Sequence, residues 1–491
     1  MSEKWMLLTI LLPILAGTLV PLLPWKKRRD YLIFIELAAV ATSVLVFALL
    51  LNHPSGALTV FRFTGNLSIT LKLDGPGGFY AALVAGLWPF ACLYSFEYMK
   101  HEQNERSFFL FYLITYGVTL GVAMAENILT LYFFFEMLSL ITLPLVLHTR
   151  TREAVLASRT YLYYMLGGAA FAFIGVIYLL TYGETSSFRA GGVLKLSSLG
   201  EKADMMLVVF VLCFLGFAVK TAVFPFSRWL PKAGVAPTPV TALLHAVAVV
   251  NTGAFAAMRM TYYSFGVENL RGTWAQYVLM GLIIFTIVYG CSRALKETHV
   301  KRRLAWSTVS NLSYILFGIV LMTPLGLTAG LAHMLFHSVM KITAFFCAGA
   351  VLTKTGKAYV HELDGLARKM PFTFTAYLVS GLALMGVPGL CGFVSKWYLA
   401  KAAIVSEDLP ALIGVAALLV SALLTAIYMM SVVVRAFCPG KDFDESAIAG
   451  ASDPGPAMLI PLGFFVVLMF VFGLCSGPVI SYLTRICAAI V

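Results

Sequence analysis

The sequence predicts an all-α polytopic membrane protein with about fourteen transmembrane helices, and three observations carry that prediction. Of the 491 residues 60% are hydrophobic and 12% charged, with a mean hydropathy of +0.89, where a soluble domain carries about 25% charged residues. Apolar runs long enough to cross a hydrocarbon core of about 30 Å recur from one end to the other. Most of the 35 lysines and arginines fall in the loops after odd-numbered runs, the asymmetry that membrane topology imposes.

The spans follow in order at 5–23, 31–51, 79–96, 108–125, 128–147, 161–182, a broken 205–231, 240–263, 274–295, 304–321, 327–351, a broken 372–404, 411–434 and 457–480. Only Lys4 precedes the first run as a basic residue, so it reads as a retained helix rather than a signal peptide. Between the second and third runs, 57–74 alternates apolar and polar residues around Thr64-Gly65-Asn66, a small hairpin outside the membrane. The Lys/Arg asymmetry places both termini on the outer side of what reads as a prokaryotic inner membrane.

The net charge of +12 is scattered over short loops rather than gathered in a stripe, which points to phospholipid and away from nucleic acid. Eight cysteines include no C-x-x-C pair, so neither an iron–sulfur cluster nor a zinc site is expected, and most read as small apolar fillers. The chain carries no nucleotide loop or cofactor motif. No cofactor, metal or catalytic group is assigned to it.

What remains to be explained is the set of ionisable residues inside apolar runs. Lys220, in GFAVKTAVF, stands mid-span, where an unpaired lysine costs about 2.5 to 3.5 kcal/mol. Pro225 breaks the helix five residues on, and a broken span commonly lines a wet cavity. Glu136, behind three phenylalanines in LYFFFEMLSL, is the candidate partner. Such a pair is a switch: the lysine keeps its proton while paired and releases it when the carboxylate turns away or is neutralised. His245 follows on the next span. His333, His337 and Lys341 are spaced four apart and therefore share one helical face, a titratable stripe rather than a metal site. Lys396, beyond a second break at Pro388, ends the series. A structural salt bridge or a hydrogen-bonded core histidine are the alternatives for the individual residues. Glu36 and Glu97 are weaker candidates, and Glu126 and Lys401 read as interfacial.

The two broken spans echo one another, with Phe226-Ser227-Arg228-Trp229 against Val394-Ser395-Lys396-Trp397 after a proline in each. Spans four to eight and nine to thirteen would then form two five-helix units, inverted because their number is odd.

These residues carry a resemblance. FFFEMLSL, GFAVKTAVFPFSRWLP, PTPVTALLH, KRRLAWSTVSNLSYI, HMLFHSVMKITAFFCAG and GVPGLCGFVSKWYLAKA run in order over about 270 residues. Together they resemble the antiporter-like membrane subunits shared by Mrp-type cation/proton antiporters, respiratory complex I and membrane-bound energy-converting hydrogenases, with the last segment most similar to the D-type member of the Mrp antiporters and its hydrogenase relatives. The resemblance implies fourteen helices in two inverted five-helix repeats. It divides the chain into three helices and the hairpin (1–107), the first repeat (108–263), the second repeat (264–437) and the last loop and helix (438–491). It also implies Glu136 and Lys220 as ion pair, His245 as link, His333, His337 and Lys341 as central relay and Lys396 as exit-side lysine. Where many members have a lysine after the eighth-helix histidine, this chain has Asn251, which leaves that connection to water or weakens it. No long lateral helix is expected after the last spans.

The expected function is proton or sodium/proton translocation within a multisubunit complex, alongside other membrane subunits. In the redox-driven alternative, soluble redox subunits are further partners. A stand-alone solute permease or a non-pumping scaffold are the remaining readings.

Overall fold

Runs of Leu, Val, Ala and Phe offer the backbone no side-chain hydrogen-bond partner, and lipid offers none either, so the chain satisfies itself as helix. The computed structural model describes residues 3–52, 54–65, 67–195, 200–440 and 443–490. Among these, eleven helices are long and apolar enough to cross a membrane, and two shorter apolar helices, Ala203–Ala218 and Pro371–Met385, accompany them. Most predicted spans recur within a few residues. The sixth starts earlier, at Arg152, where the Thr151 hydroxyl accepts from the Ala154 N–H at 3.1 Å. The last ends at Leu474 rather than 480, and a separate helix, Gly477–Ala488, follows.

The hairpin pairs Leu58–Thr64 with Leu67–Leu71 antiparallel, and its register slips twice so that Val60 and Phe63 bulge from the first strand. Asn66 of its predicted turn lies outside the described residues. Its second strand is tied to the start of the Ile128–Val146 helix, the Thr70 N–H donating to the Thr130 hydroxyl at 2.9 Å.

Pro324–Thr355 is the axis of the molecule, buried at nearly every position from Gly326 to Val351. It packs against Val300–Val320, Cys391–Val405, Thr238–Ala246 and Pro371–Met385, and Gly75–Tyr98 also touches it. There the Tyr94 hydroxyl donates to the Phe346 carbonyl at 2.7 Å. On the periphery Leu15, Leu37, Val44 and Leu51 are exposed, an apolar surface suited to lipid.

An ion pair that sequence reading missed, with a fully buried arginine and a half-buried aspartate, holds the start of Gly75–Tyr98 to the centre. Arg259 donates both terminal nitrogens to Asp74 at 2.5 Å, while Asp74 also accepts from the Gly77 N–H and so caps its helix. Burial pushes the Asp74 carboxyl up, but the charge and donors of Arg259, with the Gly77 N–H, outweigh it and hold it below its usual value.

Among the described residues three spans are broken, one more than the sequence suggests. In the first, the helix ends at Ala218, upstream of Lys220, and Ala222 takes left-handed backbone at φ 56°. The expectation that Pro225 opens this break is thus corrected in position. Residues before a proline resist the α conformation, and the Trp229 indole N–H binds the Val219 carbonyl at 2.9 Å, drawing the segment back on itself. The second break lies between Thr238–Ala246 and Val249–Arg259. The predicted Pro388 break runs from Gly386, at φ 95°, to Leu390. Gly392 lies past it, inside the next helix, where a Cβ would stand 1.9 Å from the Ala383 carbonyl oxygen.

Candidate functional site: a chain of buried bases

Lys220, His245 and Lys396 each stand at one of the three breaks, and Lys341 stands on the unbroken axial helix. A break leaves main-chain carbonyls without helical partners, and at the break after Met385 those carbonyls receive a lysine. Lys396 donates to the Leu384 and Met385 carbonyls at 2.6 and 3.1 Å, the free end of the helix before its break, where the helix dipole also favours a cation. Lys220 is 1% exposed, donates to the Phe135 carbonyl, and holds its ammonium 3.5 Å from the centre of the Phe135 ring. It makes no ion pair with Glu136, the next residue along, whose Oε1 is buried without a hydrogen-bond partner. The two predicted partners are therefore neighbours across one carbonyl, in the separated rather than the closed arrangement.

His245 lies in the last turn before the second break, fully buried against the Phe345 ring, and neither ring nitrogen meets a protein partner. Side chains meet the carbonyls at this break, of which that of Ala248 also accepts the Thr252 N–H at 3.2 Å. Tyr80 donates at 3.1 Å to those of Val247 and Ala248, and Asn251 and Ser338 donate to that of Ala246 at 2.8 and 2.5 Å. Asn251 and Ser338 also bond each other at 2.9 Å, so Asn251 joins this span to the axial helix, while its Oδ1 is left without a protein donor.

On the axial helix, the spacing of four brings His333 and His337 together with ring centres 6.0 Å apart. His333 Nδ1 meets the Ser395 hydroxyl at 2.9 Å; its Nε2 and both nitrogens of His337 have no protein partner. Buried polar groups of this kind are normally satisfied by ordered water. Lys341 does not bond to the histidines. It donates to the Ser307 hydroxyl at 2.6 Å and the Leu304 carbonyl at 3.3 Å.

From Ser307 a line of hydroxyls continues that sequence reading did not find. Ser307 meets Tyr428 at 2.6 Å, and Tyr428 donates to Thr425 at 3.1 Å. Alongside, Cys291 lies 2.9 Å from the Ser421 hydroxyl and 3.7 Å from that of Thr425, and Tyr314 donates to Ser421 at 2.7 Å. The Lys396 ammonium lies 5.3 Å from the centre of the Tyr314 ring. Ser307, Ser310 and Tyr314 on one helix, and Ser421, Thr425 and Tyr428 on another, are spaced three or four apart: the same stripe signal that singles out His333, His337 and Lys341. Cys291 is thus not an apolar filler. Of the weaker candidates, Glu97 pairs with Lys354 at 3.2 Å and accepts the Gly455 N–H at 2.6 Å, a structural clasp. Glu126 accepts from Ser187 at 3.2 Å, and Glu36 Oε2 is buried without a partner.

Residues 125–425, which include Glu136, Lys220, His245, His333, His337, Lys341 and Lys396, match the family model described as NADH:quinone oxidoreductase/Mrp antiporter, TM. The chain is 30% identical over 499 residues to NADH-quinone oxidoreductase subunit N of Desulforudis audaxviator (strain MP104C), covering 98% of each. It is 28% identical over 501 residues to Na(+)/H(+) antiporter subunit A1 of Staphylococcus aureus (strain MRSA252), covering 96% of this chain and 61% of that relative. The chain thus spans about three-fifths of the length of the antiporter subunit. Its fold is similar to that of a chain in the Mrp complex from Dietzia sp. DQ12-45-1b, with a TM-score of 0.85, 21% identity, and 99% of this chain and 97% of that one covered.

Proposed function

Because this integral membrane chain belongs to the NADH:quinone oxidoreductase/Mrp antiporter family, we propose that it is the antiporter-like subunit of a multisubunit membrane complex and carries protons, with sodium in exchange in an antiporter assembly. Glu136, Lys220, His245, His333, His337, Lys341 and Lys396 form the path. The observation that carries the reading is the way the lysines are held. Lys220, Lys341 and Lys396 bond to carbonyls and hydroxyls, and no carboxylate neutralises them by direct contact. A lysine kept only to lock a bundle is expected to meet a carboxylate. One held by neutral oxygens can pass its proton on without breaking an ion pair.

The finer architecture is part of the proposal. The eleven long helices, the two proline-broken spans and Val300–Val320 make fourteen crossings, arranged as inverted repeats over 108–263 and 264–437, flanked by 1–107 and 438–491. Support comes from the two spans broken near Pro225 and Pro388, each of which carries a lysine beside its break. The Lys/Arg-rich loops support termini on the outer side of a prokaryotic inner membrane.

The partners are other membrane subunits. A redox-driven complex with soluble redox subunits is the second reading, favoured by the 30% identity over 499 residues to a quinone oxidoreductase subunit. Gentle purification of the assembly, mass spectrometry of its chains, and proton uptake in vesicles with Lys220→Ala test both. Iron–sulfur or nickel partners would select the redox reading, and only small membrane chains the antiporter. Unchanged proton movement in an intact Lys220→Ala assembly would leave a scaffold in place of a relay.

A further inference from the structure

A cleft of about 570 Å³ opens beside the first broken span, away from the buried bases. It is bounded by the start of the Arg152–Tyr182 helix, the Phe226–Ala233 segment after the break, the end of Trp274–Lys296 and the start of Val300–Val320. These four pieces bring Arg228, Lys232, Arg293 and Arg302 to one wall-to-wall site, against two carboxylates, Glu153 and Glu297. Glu297 is already committed to Arg302 at 3.2 Å, and the Arg302 Nε is nevertheless buried without a partner. Arg293 lies 5.1 Å from the centre of the Trp306 ring. Arg228 and Lys232 have no ion-pair partner among the described residues. The site therefore has a surplus of positive charge that its own residues do not answer.

We propose that this cleft binds the phosphodiester headgroup of an anionic phospholipid. Arginine forks suit a phosphodiester, and four cations facing one cleft favour an anion there. The apolar half of the cleft points to a lipid rather than a soluble anion. Leu156 and Trp306 line it, and Leu156 is 54% exposed on a helix whose outer face continues with exposed Tyr163 and Leu166, a track for an acyl chain. The cleft also lies on the side of the Lys/Arg-rich loops, and basic pockets between transmembrane helices on that side suit anionic lipid headgroups. A bound headgroup would hold the Phe226–Ala233 segment, whose Trp229 indole ties back to Val219 beside Lys220.

The test uses the intact assembly, washed in detergent. Retained lipid is counted by native mass spectrometry, and unfolding midpoints are read with added phosphatidylglycerol vesicles, phosphatidylcholine vesicles or inorganic phosphate. Phosphatidylglycerol is expected to be retained and to raise the midpoint, with the other two inert. Arg228→Gln with Arg302→Gln is expected to weaken its retention by about fivefold for each charge removed. Equal protection by phosphatidylcholine, protection by inorganic phosphate, or unchanged retention in the double variant would each overturn the assignment. If the double variant does not assemble, the three additives on the unaltered assembly still decide.

Discussion

Lys220 and Lys341 are both buried in apolar surroundings, yet the molecule holds them in opposite ways. Lys220 lies where a helix has come apart, its ammonium against a carbonyl and a phenyl ring, with the Glu136 carboxylate one residue away and unbonded. Lys341 lies on an unbroken helix of 32 residues and meets a hydroxyl that bonds to a second and, through it, a third. A carbonyl accepts a hydrogen bond but has no proton to pass on, whereas a hydroxyl accepts one proton while donating another. The first region therefore needs motion of the lysine or carboxylate, or water, to move a proton. The second can hand it along a bonded line. On this reading the first region is where a partner's movement couples to charge, and the second is a conductor.

The comparison can be broken most severely at the charges. Lys341→Ala and Lys220→Ala are each expected to slow proton movement in vesicles by about a hundredfold or more, the loss that follows removal of a transfer group. Glu136→Gln should approach the Lys220→Ala defect if the first region depends on its carboxylate. A Glu136→Gln assembly running at the original rate would remove the distinction between the regions. Next in size, Tyr428→Phe takes one hydroxyl from the line. Proton movement should slow by about tenfold with the assembly intact, since water can replace a hydroxyl but not a lysine. No slowing would show that the hydroxyl line is structural.

Asn251→Ala leaves Ser338 alone on the Ala246 carbonyl, and thermal unfolding should report a loss of about 0.5–1.5 kcal/mol. Its transport rate sharpens the picture at the junction of the two regions, where a small defect means that Asn251 braces the break and a large one that it orders the path. The smallest effect concerns pH and the Asp74–Arg259 pair. Asp74 is held below its unfolded value of about 3.9, so the pair's stabilisation is present above that pH and fades as pH falls through the lower folded value. At equal starting stability an acid unfolding profile should shift to lower pH in Asp74→Asn than in the unaltered chain, because the variant has no depressed carboxyl to protonate.

How much of this was legible depended on which property wrote it. Hydropathy set the spans, because lipid forces any apolar run of sufficient length into helix whatever its neighbours do. Proline and glycine marked two of the breaks, since a missing N–H and a positive φ are local requirements. The break between Ala246 and Val249 has neither residue. Its carbonyls are met by Asn251 close by and by Tyr80 and Ser338 from distant helices, a condition that the sequence around residues 246 to 249 does not record.

The sequence by itself determined a membrane-spanning helical chain and the identity of its buried bases, because burying a charge is costly enough to be visible residue by residue. It also carried the spacing that places His333 and His337 side by side. Only the tertiary structure decided what each base touches. Lys341 turns to Ser307 rather than to the histidines on its own face, Lys220 to Phe135 rather than to Glu136, and Cys291 joins hydroxyls from two other helices. Hydrogen bonds between helices are chosen by packing between segments far apart in the chain, and periodicity along one helix carries no record of the face it will meet.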